Sequence, residues 1–135
     1  MWTWKKTESK SAGKENILNS FPATLKQDVE KVVDILSFDK NYLFSPDFQT
    51  INLDKEILNI PCRIYFDEPS STKEMSLTEQ QRTILNCILL RHHDGYLRQR
   101  RLELLIDKTE YFVVPFVFQL LGEYVIEILF FWTSI

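Results

Sequence analysis

The sequence predicts a mainly helical α+β fold, an N-terminal helix and a β-hairpin packed on a short stack of antiparallel helices. Three observations carry this. Leu25, Val29, Val32, Val33 and Leu36 recur at helical spacing within residues 22–37. Ile60, Cys62, Ile64 and Phe66 alternate at period two, closing a segment rich in β-formers. Two long segments, 83–105 and 111–132, then fill the C-terminal half with apolar residues over helical lengths.

The chain has 135 residues, enough for one domain with one sizeable core. Apolar content of 44% and charged content of 26% are those of an ordinary globular protein. Only three glycines are present, which disfavours an architecture of many tight turns and a glycine-lined phosphate cradle. The net charge of −3 gives the molecule as a whole no pull toward nucleic acid or anionic lipid. Cys62 and Cys87 lack a C-x-x-C spacing and read as reduced, largely buried thiols. The opening residues have lysines but no apolar stretch of the secretory kind, so a cytoplasmic location is expected.

Residues 1–16 are polar apart from Trp2 and Trp4 and are expected to form a flexible segment. The tryptophans either fold back onto the core or serve as a small binding handle. Residues 17–135 are read as a single domain, with helix and hairpin over 17–75 and the helical part over 76–135. The helix at 22–37 has Pro22 suited to its first turn and Ser20 as its expected cap. Residues 39–49 read as loop, and 50–66 as a β-hairpin turning at Asp54-Lys55. Pro61 cannot donate to a ladder, so its strand should be an edge or be bulged there. Residues 67–75 read as a polar linker. Ser76 with Glu79, or Thr78 with Gln81, forms a capping box that opens a helix running to about Arg91. Its second half is apolar nearly all round, so it is covered on several sides.

A turn at His93-Asp94-Gly95 leads into another helix. There Leu97, Leu102, Leu104, Leu105 and Ile106 are candidates for the inner face. Residues 111–132 are long enough to span a bilayer, but Gln119, Glu123 and Glu127 lie inside the run, which disfavours a membrane span. Pro115 and Gly122 suggest two short helices, about 113–121 and 123–131. The four-residue spacing of Gln119, Glu123 and Glu127 also fits one unbroken helix with a thin polar stripe.

Tyr96-Leu97 follows Asp94-Gly95 as Tyr124-Val125 follows Gly122-Glu123. Such internal echoes mark helical repeats. HHDGYLRQRRLELL resembles the second helix of a HEAT or armadillo-like repeat, and VPFVFQLLGEYVIEIL resembles a further helix pair. The resemblance covers roughly residues 83–130 and implies a HEAT-like stack. It also implies a turn-to-helix pair between Asp94 and Arg98. Arg101 and Leu129 depart from the family pattern.

His92, His93 and Asp94 are the one cluster of ligand-type residues, but no H-E-x-x-H or Cys/His framework accompanies them. They read as the end of a helix; no metal and no cofactor is expected. The alternative they would support is a small hydrolase-like enzyme. Glu123 and Glu127 read as a solvated stripe, not a catalytic pair. Arg91, His92, His93, Arg98, Arg100 and Arg101 make the one basic concentration; it reads first as a solvated helix face and next, around Arg98, Arg100 and Arg101, as a face suited to an acidic protein partner, while nucleic acid is disfavoured by the absence of interleaved aromatics. Phe130, Phe131 and Trp132 end the chain on an apolar layer, suited to a protein partner or self-association. The expected function is a non-catalytic protein-binding module of adaptor or inhibitor type, with a membrane-attached protein anchored by 111–132 as a further alternative.

Overall fold

A computed structural model describes residues 12–40 and 42–133, the side chains at 127, 128 and 130–132 excepted. The fold is mainly helical with one antiparallel β-hairpin. The first helix, α1, spans 12–18, so the N-terminal segment is helical from residue 12 rather than frayed to residue 16; Trp2 and Trp4 lie outside the described residues. A 3-10 turn, Ala23–Leu25, leads into α2, Lys26–Asp34. Leu25, Val29, Val32, Val33 and Leu36 are all buried, as their spacing requires.

Ser20 is not the cap of this helix. Its hydroxyl proton is shared between the carbonyls of Asn16 and Asn59, each 3.0 Å from Oγ. The start of the 3-10 turn is held instead by the hairpin: Ala23 N–H donates to the Glu56 carboxylate at 2.7 Å. A carboxylate from far along the chain has taken the role that a local hydroxyl usually fills.

The hairpin pairs β1, Phe48–Leu53, with β2, Glu56–Pro61. The two-residue loop has Asp54 at φ 50° and Lys55 at φ 70°. Two successive positive φ values match the right-handed twist of the strands. This loop makes Leu53–Glu56, Ile51–Leu58 and Gln49–Ile60 the pairs that exchange hydrogen bonds. Pro61 then sits opposite Phe48 where no ladder N–H is needed. Beyond the hairpin, Ile64 forms isolated bridges with Phe44 and His92: Ile64 N–H donates to Arg91 O at 2.9 Å, and His93 N–H to Ile64 O at 3.1 Å.

The expected linker contains a short helix, α3, Ser71–Met75, capped by Ser70. Its far end determines which capping box follows. Ser76 Oγ is engaged with Lys73 O, so Thr78 and Gln81 form the reciprocal box of α4, Glu79–Leu89. Thr83 to Leu89 are all buried, because α2, α5 and the 3-10 turn Tyr111–Val113 pack around this helix. Each fully buried Leu or Ile here contributes about 2 kcal/mol through the hydrophobic effect. The Asp28 carboxylate accepts from Gln80 at 2.7 Å and Gln81 at 3.0 Å, fastening α2 to the start of α4.

Helix α5 is Gly95–Leu105 and α6 is Val114–Thr133. In α5, Leu97 and Leu105 are buried, whereas Leu104 and Ile106 are exposed and Arg101 takes an inner position. The chain does not break at Gly122: α6 is the unbroken helix, not two short ones. Phe116 and Leu120 anchor it in the core, with Phe116 stacked on Phe21 at 5.1 Å between ring centroids. The implied second helix–turn–helix pair of the repeat resemblance is therefore a single helix. Among the described residues no helix is long and apolar enough to cross a membrane.

Candidate protein-binding face

The arginine face of α5 is largely occupied from within. Arg101 is buried; its guanidinium bonds Glu68 and Glu74 at 2.5 Å each and Asn86 Oδ1 at 2.8 Å. Burial pushes the Arg101 pKa down, but Glu74 and Glu68 more than offset it and hold the guanidinium above its ordinary value. Burial likewise pushes the Glu68 carboxyl up, and Arg101 with Arg100 outweighs it and holds it below the usual carboxylate range. Arg101 is thus a staple between α3, α4 and α5, not a contact for a partner. Arg100, more than half exposed, also pairs with Glu68, at 3.1 Å.

The pair implied between Asp94 and Arg98 is replaced by two separate caps. Asp94 Oδ1 accepts from Tyr96 N–H at 2.9 Å, opening α5 as an N-cap. Arg98 Nη1 donates to the carbonyls of His92 at 2.7 Å and His93 at 3.2 Å. Those carbonyls lie just past the end of α4 and need donors, which is a stronger claim on the guanidinium than a carboxylate already in use.

His92 is equally committed. Asp94 N–H donates to Nδ1 at 3.1 Å, so the ring proton sits on Nε2, which donates to Phe66 O at 3.1 Å. Burial, with the neighbouring His93 ring, lowers the His92 pKa. His93 is sandwiched between His92 and Tyr65. His92 has no ring nitrogen left for proton transfer. Among the described residues no group of three His, Cys, Asp or Glu side chains could hold a metal ion.

What the structure leaves open is the outer side of α6. Val114, Phe118, Leu121, Val125, Ile126 and Leu129 are exposed, Phe118 by 69%. The first four follow a 4-3-4 spacing and so form one apolar stripe along the helix. Phe130, Phe131 and Trp132 belong to α6, but their side chains lie outside the described residues, as does that of Glu127.

Between this stripe and the hairpin runs a groove of about 470 Å³. Ile51 and Leu53 of β1 form one wall, and Val114, Phe118 and Ile126 of α6 the other. Arg91, Gln119 and Glu123 form its floor. Glu123 accepts from Arg91 at 2.7 Å and Arg63 at 2.5 Å. Burial raises its carboxyl, and the two guanidiniums outweigh that, holding Glu123 below the usual range as a fixed anion. Arg91 is almost fully buried, and desolvation lowers its pKa against the opposing pull of Glu123. Two cations thus share one carboxylate, and Arg91 Nη1 and Gln119 Oε1 are buried without a hydrogen-bond partner among the described residues. The sequence marks Arg91 only as part of a basic concentration and Arg63 not at all; the one signal for their pairing was Glu123 recurring four residues after Gln119 on an otherwise apolar helix.

No protein-family model, no curated protein and no solved structure matches this chain.

Proposed function

We propose that this chain is a non-catalytic protein-binding module whose contact surface is the outer side of α6 and the groove beside it. The observation that carries this is the continuous exposed stripe from Val114 to Leu129. Exposed apolar side chains are normal singly; one stripe along four turns of a single helix is not. The groove presents mainly apolar side chains, Ile51, Leu53, Val114, Phe118 and Ile126, which suit the apolar side chains of a docked polypeptide. The titratable groups that could carry chemistry are committed to structure: His92 to two backbone groups, Arg101 to two carboxylates and, in the groove itself, Glu123 to two guanidiniums. The repeat resemblance belongs to this proposal through one helix pair, α4 and α5, joined at Asp94. A cytoplasmic setting belongs to it too, on the two free thiols, Cys62 and Cys87.

The test is photo-crosslinking in cells, with a reactive residue replacing Phe118 or, as a control, exposed Lys31 on the far side of α2. Discrete protein adducts from position 118 and none from position 31 are expected. Equal, diffuse labelling from both positions overturns the proposal.

A further inference from the structure

The same face holds a second open element, and its openness lies in the backbone. β1 is one edge of a two-stranded sheet. The phase set by the loop points the N–H and C=O groups of Phe48, Thr50 and Asn52 away from β2. On β2 two of the three corresponding outward positions are managed: Asn59 N–H donates to Asn19 O at 3.0 Å, and Pro61 has no N–H to present. β1 has no such device. Its six residues, FQTINL, carry no charge and no proline, and the ladder is continuous from Phe48 to Leu53. Natural edge strands that stay single are broken by such features.

We infer that β1 pairs with β1 of a second copy of this chain, antiparallel about a two-fold axis through Ile51. This deepens the proposed function by naming the partner, and it rests on that reading of the α6 face. The argument for a second copy is self-complementarity. In this register Ile51 meets Ile51 of the second copy, and Gln49 meets its Leu53. Thr50 and Asn52 exchange the outward hydrogen bonds on either side of the axis. Asp47, at the start of the ladder, faces Lys55 of the second copy at both ends. Moving the axis to Thr50 sets Asp47 against Leu53 and leaves Lys55 with no acid opposite, so charge selects the Ile51 register. A symmetric pairing also uses the groove. Leu58 and Ile60 of β2 are fully buried, whereas Ile51 and Leu53 are only half covered, so β1 overhangs α6. A strand added to its edge extends the sheet over Phe118 and Ile126 and closes the groove from above.

The experiment is sedimentation velocity on the full chain from micromolar to submillimolar concentration, with charge-reversal variants. The wild type is expected to reach twice the monomer mass. Asp47→Lys turns two attractive contacts per dimer into repulsive ones and should weaken dimerisation about tenfold or more. Adding Lys55→Asp to that variant should restore it. Within one chain the two residues stand at opposite ends of a hairpin about 25 Å long, so such a rescue arises only between copies. Asn52→Pro, which removes one outward N–H as Pro61 does on β2, should also dissociate the dimer. A monomer at every concentration, or a dimer indifferent to Asp47→Lys, overturns the inference. If Phe118→Lys alone dissociates the dimer, or position 118 crosslinks only to a foreign protein, the α6 reading stands and the strand pairing falls. If position 118 crosslinks to nothing and the chain stays monomeric, both fall.

Discussion

Replacing Arg101 with Met removes a guanidinium that holds three elements together while keeping the length of its apolar stem. Arg101 is 6% exposed and bonds Glu68, Glu74 and Asn86. In the variant Glu68 keeps Arg100, but Glu74 and the Asn86 carbonyl lose the donor they share. Breaking a buried ion pair from one side costs about 3–5 kcal/mol. The Glu68 and Glu74 side chains are 27% and 21% exposed, so water returns part of that, and the lower end applies, about 3 kcal/mol. With a urea dependence of about 2 kcal/mol/M, the unfolding midpoint should fall by about 1.5 M with an unchanged slope. Adding Glu74→Gln should recover more than half of the loss, because Glu68 still has Arg100 and no unpaired carboxylate then remains near the core. A fall below about 0.3 M, the size expected for a surface arginine, refutes the reading of Arg101 as a structural staple.

Three further outcomes are expected. Gly122→Ala should stabilise the protein by about 0.5–1 kcal/mol, since the new methyl meets nothing within 4 Å and the residue lies inside α6; destabilisation would mean that the chain turns there. His92 is neutral in the fold and its pKa is lowered, so the unfolded chain takes up its proton first. Its contribution should be complete above pH ~6.5 and shrink as the pH falls below that value; urea midpoints for His92→Gln should then be flatter than wild type between pH ~7 and ~5.5, and a wild-type midpoint that rises on acidification in that window contradicts the assignment. Lys55→Gly removes a side chain from a residue at φ 70° and should raise the thermal midpoint by a few degrees; a lower midpoint would mean that the loop is not of this type.

Periodicity alone makes the α2 core legible in the sequence. Leu25, Val29, Val32, Val33 and Leu36 all point inward; the hairpin is legible as a type, but it spans 48–61 instead of 50–66, and of the alternating residues only Ile60 lies in it. Local chemistry is a poorer guide wherever a distant residue competes. Ser20 looks like a cap until the hairpin carbonyl at Asn59 claims its hydroxyl. Gly122 looks like a helix end until Leu120 on one side and the ion pairs of Glu123 on the other hold both flanks in one helix. Arg101 reads as surface because arginine usually is; only the arrival of Glu68 and Glu74 from α3 and its approach makes its burial tolerable. The proposed binding face is half legible. The apolar wealth of residues 111–132 is plain, but which side of the helix stays open depends on where β1 ends its cover.

The most direct measurement of that face is residue-resolved amide hydrogen exchange across a dilution series. Ile51 and Leu53, whose amides face β2, should be protected at every concentration. Thr50 and Asn52, whose amides face outward, should be protected at high concentration and exchange freely on dilution, in step with the exposed stripe of α6 becoming accessible. Free exchange at Thr50 and Asn52 at all concentrations, with Phe118 equally accessible throughout, contradicts a second copy seated on this face.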